Sequence, residues 1–234
     1  MRRILGKSEI ESSAVGMGCW AIGGPWTFKG EAAGWGQIDD KESIDAVHLA
    51  LDMGINLFDT AANYGCGHSE RVLSKAINDR RDRIVIATKF GYDVDENAKD
   101  VRPYDDDEEN GDVAGRLRSD CEASLRRLNT DYIDIYQLHV WGYDISKSRK
   151  VREVLESLVS EGKIRAYGWS TDRVDAARDF AQGPNCTAIQ QQLNGESIDY
   201  YMAEVGYHSI VDGEEIYDYV SFTPKQELKI DDVN

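Results

Sequence analysis

From Val15 onward, short apolar runs alternate with stretches whose apolar residues recur every three to four positions. The runs at 15–19, 55–59, 84–88, 132–138, 164–169 and 187–193 have the length and apolar continuity of strands covered on both faces. Between them the period becomes helical. Ile44, Val47, His48 and Leu51 form a stripe capped by Asp39 or Asp40 and stopped by Gly54. Val72, Leu73, Ala76 and Ile77 form a second behind Ser69, and Leu117, Cys121, Leu125 and Leu128 a third. A fourth comprises Val151, Val154, Leu155, Leu158 and Val159 and ends near Gly162; a weaker fifth runs from about Arg173 to Ala181, ahead of Gly183-Pro184. Strand, helix, strand, repeated in this way, predicts βαβ units and a parallel sheet.

Two segments break the rhythm. Residues 93–112 are rich in Asp, Glu and Asn and are read as a solvated loop at the mouth of a barrel. Beyond 194 no further strand and helix pair is recognisable: 207–211 and 215–222 flank Asp212-Gly213 like a hairpin. The chain is therefore divided into a barrel unit, 1–194, and an atypical tail, 195–234.

Composition narrows the partners. In 234 residues, 43 acidic side chains outweigh 27 Lys and Arg, a formal net charge of -16, so nucleic acid and anionic membrane surfaces would repel the chain. Cys19, Cys66, Cys121 and Cys186 show neither C-x-x-C pairing nor zinc-site spacing, and no metal is expected. Scattered thiols, with no signal-peptide or membrane-spanning run, point to a cytoplasmic protein.

In a parallel α/β barrel, functional side chains gather at the C-terminal ends of the strands. There the sequence places Asp59, Tyr64, Lys89, His139, Ser170 and Thr171, with Gln190 in the sixth strand. Singly, Asp59 reads more readily as a loop cap, Lys89 and His139 as solvated strand ends, and Tyr64 as packing. Together they fit reduction of a carbonyl, which needs a proton donor at oxygen as hydride reaches carbon. A free phenol, with a pKa of about 10, is a reluctant acid. An ammonium about 4 Å away favours its anion by roughly 4 kcal/mol at an effective dielectric near 20, so Lys89 is expected to sharpen Tyr64 as the acid. Asp59 would neutralise Lys89, and His139 would donate to the carbonyl oxygen and orient it.

The motifs Gly16-Met17-Gly18-Cys19-Trp20, Phe58-Asp59-Thr60-Ala61-Ala62-Asn63-Tyr64-Gly65, Ile86-Ala87-Thr88-Lys89-Phe90-Gly91, Tyr132-Ile133-Asp134-Ile135-Tyr136-Gln137-Leu138-His139, Gly162-Lys163-Ile164-Arg165 and Tyr167-Gly168-Trp169-Ser170-Thr171 follow in order. In these the chain resembles the aldo-keto reductases, NAD(P)H-dependent oxidoreductases on a (β/α)8 TIM-barrel fold. The resemblance implies that Tyr64 is the proton donor and that Asp59, Lys89 and His139 complete a tetrad. It implies that Ser170 and Gln190 hold a nicotinamide carboxamide, with Thr171 where the family has Asn, and that Gly18, Trp20 and Asp59 approach the cofactor. The cofactor implied is NADP(H), with NAD(H) the alternative, and the substrate a small aldehyde or ketone. Glu70, just past the tyrosine loop, is read as first-turn helix electrostatics.

After Asn194 the resemblance offers no seventh or eighth strand, so an incomplete barrel of about six strands is expected, with open edges suited to self-association. Three readings stay open: a carbonyl reductase, a non-catalytic cofactor-sensing subunit, and an inactive truncated product.

Overall fold

A computed structural model describes residues 2–104 and 113–191, with two short strands in the tail. The strands β1 (Arg2–Ile4) and β2 (Glu11–Ser13) form an antiparallel hairpin that the periodicity did not signal. There follow β3 (Gly16–Gly18), a 3-10 turn (Ala21–Gly23), β4 (Thr27–Phe28), β5 (Glu31–Ala32), α1 (Asp40–Asp52), β6 (Leu57–Asp59) and α2 (His68–Ile77). Next come β7 (Val85–Phe90), β8 (Tyr92–Asp95), β9 (Asp100–Pro103), α3 (Val113–Leu128), β10 (Ile133–Leu138) and α4 (Ile145–Ser160). The chain continues through β11 (Ile164–Ser170), α5 (Val174–Phe180) and β12 (Cys186–Gln190). In the tail, β13 (Ser209–Val211) pairs antiparallel with β14 (Glu214–Ile216); the rest of 195–234 lies outside the described residues.

The strands β3, β6, β7, β10, β11 and β12 make one six-stranded sheet, all parallel and in chain order. Each helix returns the chain to the next position without reversal. That is the winding of a (β/α)8 barrel and not of a doubly wound sheet, whose order reverses at a switch point. Six barrel strands form a curled half-barrel. The cap expected at α1 is Asp39, which accepts from the backbone N–H groups of Lys41 and Glu42, whereas α2 starts at His68 behind Gly67, with Ser69 inside it.

Alternation along the strands sorts side chains into two cores. Phe58, Ile86, Tyr136, Leu138, Tyr167 and Trp169 face outward and pack with Val47, Leu73, Leu117, Leu155 and Phe180 of the helices. Leu57, Val85, Ala87, Ile135, Ala166 and Ala188 face inward. Small residues suit that narrow interior: a Cβ on Gly168 would lie 2.0 Å from the Ala188 carbonyl oxygen. Leu5 and Ile10, from the β1–β2 connection, join the inner cluster and close its lower end. Two residues further along four of these strands, the same inward face carries Asp59, Lys89, Gln137 and Gln190.

The reading of 93–112 as a solvated loop needs correction. Its described part contributes most of β8 and all of β9, which join β4 and β5 in a four-stranded sheet ordered β5-β4-β9-β8. Residues 105–112 lie outside the described residues. The acidic composition concealed a ladder because Asp100 is turned inward, accepting from Thr27 Oγ1 at 2.5 Å, the Gly30 N–H at 2.9 Å and Arg102 Nε at 2.7 Å. The Thr27 hydroxyl, the Gly30 amide and Arg102 hold its carboxyl down at about 2. A depressed carboxylate stabilises the fold above its unfolded value, about 3.9, and that contribution disappears as pH falls through about 2. Replacing Asp100 by Ala is therefore expected to speed amide hydrogen exchange in β4 and β9 at neutral pH while leaving β7 and β10 protected. Unchanged exchange in β4 would show that Asp100 does not hold this sheet together.

Candidate active site

The inward polar layer is a connected network. Lys89, 1 % exposed, donates from Nζ to Asp59 Oδ1 at 2.7 Å, the Thr60 carbonyl at 2.9 Å and the Tyr64 hydroxyl at 3.4 Å. An ammonium has three protons, so each has an acceptor. Burial works against the charge, but the Asp59 carboxylate and the Tyr64 oxygen more than restore it, holding the ammonium above its ordinary value. Asp59 Oδ2 accepts from Gln190 Nε2 at 3.0 Å, and Gln190 Oε1 accepts from Gln137 Nε2 at 3.1 Å. Gln137 was not singled out from the sequence. The available signal was its position two residues before His139, on the same face of β10.

Tyr64 is presented by a loop stitched to β7. The Thr60 N–H donates to the Ala87 carbonyl and the Ala62 N–H to the Lys89 carbonyl. Ser69 Oγ, 2.8 Å from Thr60 Oγ1, donates to the Cys19 carbonyl at 2.6 Å. Gly65 allows the loop to lie against the 3-10 turn: at φ 61°, its missing Cβ would sit 1.9 Å from the Gly23 carbonyl oxygen. Trp20, leading into that turn, stacks on Tyr64 with ring centroids 5.9 Å apart and 22° between planes. The His139 and Tyr64 rings stand nearly perpendicular, with centroids 5.8 Å apart.

Lys89 acts on Tyr64 in the expected sense, yet the resting phenol is a weaker acid than a free one. Burial pushes the phenol up, the ammonium only partly offsets this, and Asp59 adds to the rise. Tyr64 rests as a phenol whose oxygen accepts from Lys89. Burial, with Lys89, pushes the His139 imidazole down to about 3, so the ring is neutral around pH 7. Its Nδ1 lies 3.0 Å from Asn63 Oδ1.

Of the six cofactor candidates, Asp59 and Gln190 belong to this layer and Gly18, Ser170 and Trp20 border it. Asp59 is part of it, and Gly18 is its register partner across β3–β6, with no atom within 4 Å of the place a Cβ would occupy. Ser170, half-buried, ends β11 beside Gln190 in the β11–β12 register. Trp20 is 36 % exposed. Thr171 is turned toward its own chain: its N–H donates to the Gln190 carbonyl at 2.8 Å, and its Oγ1 accepts from the Arg173 N–H at 3.1 Å.

Glu70 requires a second correction. It lies in the first turn of α2 but is fully buried, accepting from Arg127 Nε at 2.6 Å and Thr88 Oγ1 at 2.6 Å. It ties α2 to α3 and β7, and its charge is matched by a guanidinium, not only by a helix dipole. The four cysteines are buried and outside any disulfide; burial pushes Cys66 up to about 11 and Cys121 up to about 12. Among the described residues, no cluster of three or more His, Cys, Asp or Glu could hold a metal ion, and no helix is long and apolar enough to cross a membrane.

Comparison with known proteins agrees with this fold. The model of the aldo/keto reductase family matches residues 14–221, extending beyond Asn194, and the chain belongs to that family. It is 38% identical over 187 residues to the aldo-keto reductase YhdN of Bacillus subtilis (strain 168), covering 79% of this chain and 51% of that protein. It is 34% identical over 200 residues to the NADH-specific methylglyoxal reductase of Escherichia coli (strain K12), covering 83% and 59%. Among solved structures, the holo form of aldo-keto reductase AKR11C1 from Bacillus halodurans superposes with a TM-score of 0.71 at 29% identity, covering 88% of this chain and 63% of that one. An aldo/keto reductase from Klebsiella pneumoniae in complex with NADP and acetate gives 0.57 at 29% identity, covering 79% and 55%. The chain spans between half and three fifths of the length of the two curated relatives.

Proposed function

We propose that this chain reduces a small aldehyde or ketone to an alcohol, with Tyr64 as the proton donor and Asp59, Lys89 and His139 as its partners. The observation that carries the reading is the bond from the buried Lys89 ammonium to the Tyr64 oxygen, at 3.4 Å, with Asp59 behind it at 2.7 Å. A bound reduced nicotinamide supplies the hydride. Ser170 and Gln190 would hold its carboxamide, Gly18 provides the open backbone for close approach, Trp20 and Asp59 flank that approach, and Thr171 contributes at the end of β11. NADP(H) is the favoured cofactor, in keeping with the Klebsiella complex; NAD(H) is the alternative, since the Escherichia coli relative is named NADH-specific.

Within the site, the chain's own groups divide the work. The Tyr64 oxygen accepts from Lys89, which leaves the phenol's proton free for a carbonyl oxygen. As that proton moves, negative charge grows on the phenol oxygen beside an ammonium already oriented by Asp59 and the Thr60 carbonyl, so no reorganisation is needed at the moment of transfer. His139, neutral, orients the carbonyl. Cysteines held outside any disulfide favour a cytoplasmic setting.

The test is to follow the fluorescence of NADPH, and separately NADH, on titration with the protein, then measure cofactor oxidation with methylglyoxal and a panel of simple aldehydes. Binding with turnover supports a reductase. Binding without turnover replaces it by a cofactor-sensing subunit, and absence of binding to either nucleotide overturns both.

A further inference from the structure

His139 and Asn63 impose a constraint that the tetrad alone does not. Asn63 is 8 % exposed, and its Oδ1 lies 3.0 Å from His139 Nδ1. A carboxamide oxygen only accepts, so this contact is a hydrogen bond when Nδ1 carries the proton. A neutral imidazole has a single N–H, and Nε2 is then left with a lone pair. In that form His139 can accept from an alcohol hydroxyl but has nothing to donate to a carbonyl oxygen.

We propose that Asn63 is the positioning residue that selects the tautomer of His139, holding the proton on Nδ1 in the free protein and releasing it to Nε2 when its carboxamide turns over. A half-turn about the last side-chain torsion exchanges Oδ1 for Nδ2 with almost no change in shape. Nδ2 then donates to a bare Nδ1; one proton arrives at Nε2 from water and one leaves Nδ1 for water, so the ring is neutral before and after the exchange. The carbonyl substrate selects the turned form because only that form offers it an N–H. The alcohol product selects the resting form, so one side chain gives both directions of the reaction a matching partner. This inference rests on the reductase reading for its consequence, although the resting tautomer stands on the Asn63 contact alone.

The experiment is 15N–1H correlation spectroscopy of the histidine rings at neutral pH, with His139 assigned by its loss in His139→Gln. In the free protein the proton is expected on Nδ1. With NADP+ and acetone, an unreactive pair that presents a carbonyl oxygen, it is expected on Nε2. A carboxylate at position 63 can only accept, so Asn63→Asp should keep the proton on Nδ1. At pH values where the ring is neutral, kcat/KM for reduction should then fall about 10²-fold, recovering as acidification adds a second proton at Nε2. A merely structural role would produce no such acid limb, since Asp matches Asn in shape. A free protein already protonated at Nε2 overturns the proposal, as does an Asn63→Asp variant as fast as wild type in alkaline solution. If acetone with NADP+ leaves every ring signal unmoved and no aldehyde is reduced, the reductase reading fails, while the free-protein spectrum still decides the resting tautomer.

Discussion

Replacing Tyr64 by Phe is expected to lower kcat/KM for carbonyl reduction by about 10² to 10⁴, while the affinity for NADPH stays within a few-fold of wild type. Phe keeps the ring that stacks on Trp20 and stands nearly perpendicular to that of His139. It removes only the oxygen that accepts from Lys89 at 3.4 Å, and Lys89 retains Asp59 and the Thr60 carbonyl. The loss therefore reports proton donation and not collapse of the site. In free energy it is about 3 to 5 kcal/mol, at about 1.4 kcal/mol per factor of ten.

The raised phenol also sets the pH dependence. Burial holds Tyr64 above its ordinary value, so the donor remains protonated throughout the neutral range. Its contribution to reduction should be flat there and fall only as pH rises past about 10. A Tyr64→Phe enzyme retaining a substantial fraction of wild-type turnover, or a wild-type rate that falls between neutrality and mild alkali, would assign the proton to another group.

The largest stability effect is expected at Arg127, whose charge is matched to the fully buried Glu70 at 2.6 Å. Arg127→Met leaves that carboxylate with Thr88 and no cation, and removing one partner of a buried pair costs about 3 to 5 kcal/mol. Against a total of about 5 to 15 kcal/mol for a typical domain, that is a large share. It should appear as a lower midpoint in urea. Because Glu70 bonds to Thr88, the residue before Lys89, loosening should reach β7 and weaken the site as well. The double variant Glu70→Leu, Arg127→Met removes both charges and should recover much of the loss, since the penalty arises from the orphaned carboxylate more than from the missing attraction. A single variant as stable as wild type would mean that the pair carries no net weight.

The strands and helices of the barrel unit were legible because their cause is local. Ile44, Val47, His48 and Leu51 can share a face only on a helix, and α1 spans Asp40–Asp52 as that spacing requires. Asp59, Lys89 and His139 were legible for the same reason: each follows an apolar run, where a parallel barrel places its chemistry. The four-stranded sheet was not. Its central ladder joins Thr27–Phe28 to Asp100–Val101 across more than sixty residues, and neither segment has enough periodicity to announce a strand. Nor did the sequence distinguish Glu70 as an ion-pair partner from Glu70 as a first-turn charge, because Arg127 lies fifty-seven residues away.

By itself the amino-acid order determined the repeating strand and helix pattern of the barrel unit and which side chains stand at its strand ends, because these follow from apolar runs and a 3.6-residue period within a few residues. Only the tertiary structure decided that Tyr64 rests as a raised phenol, that His139 is neutral with its Nδ1 on Asn63, and that Gln137 and Gln190 buttress Asp59. Those properties depend on how far water is excluded and on partners brought in from distant strands, and such quantities exist only once the chain has closed around them.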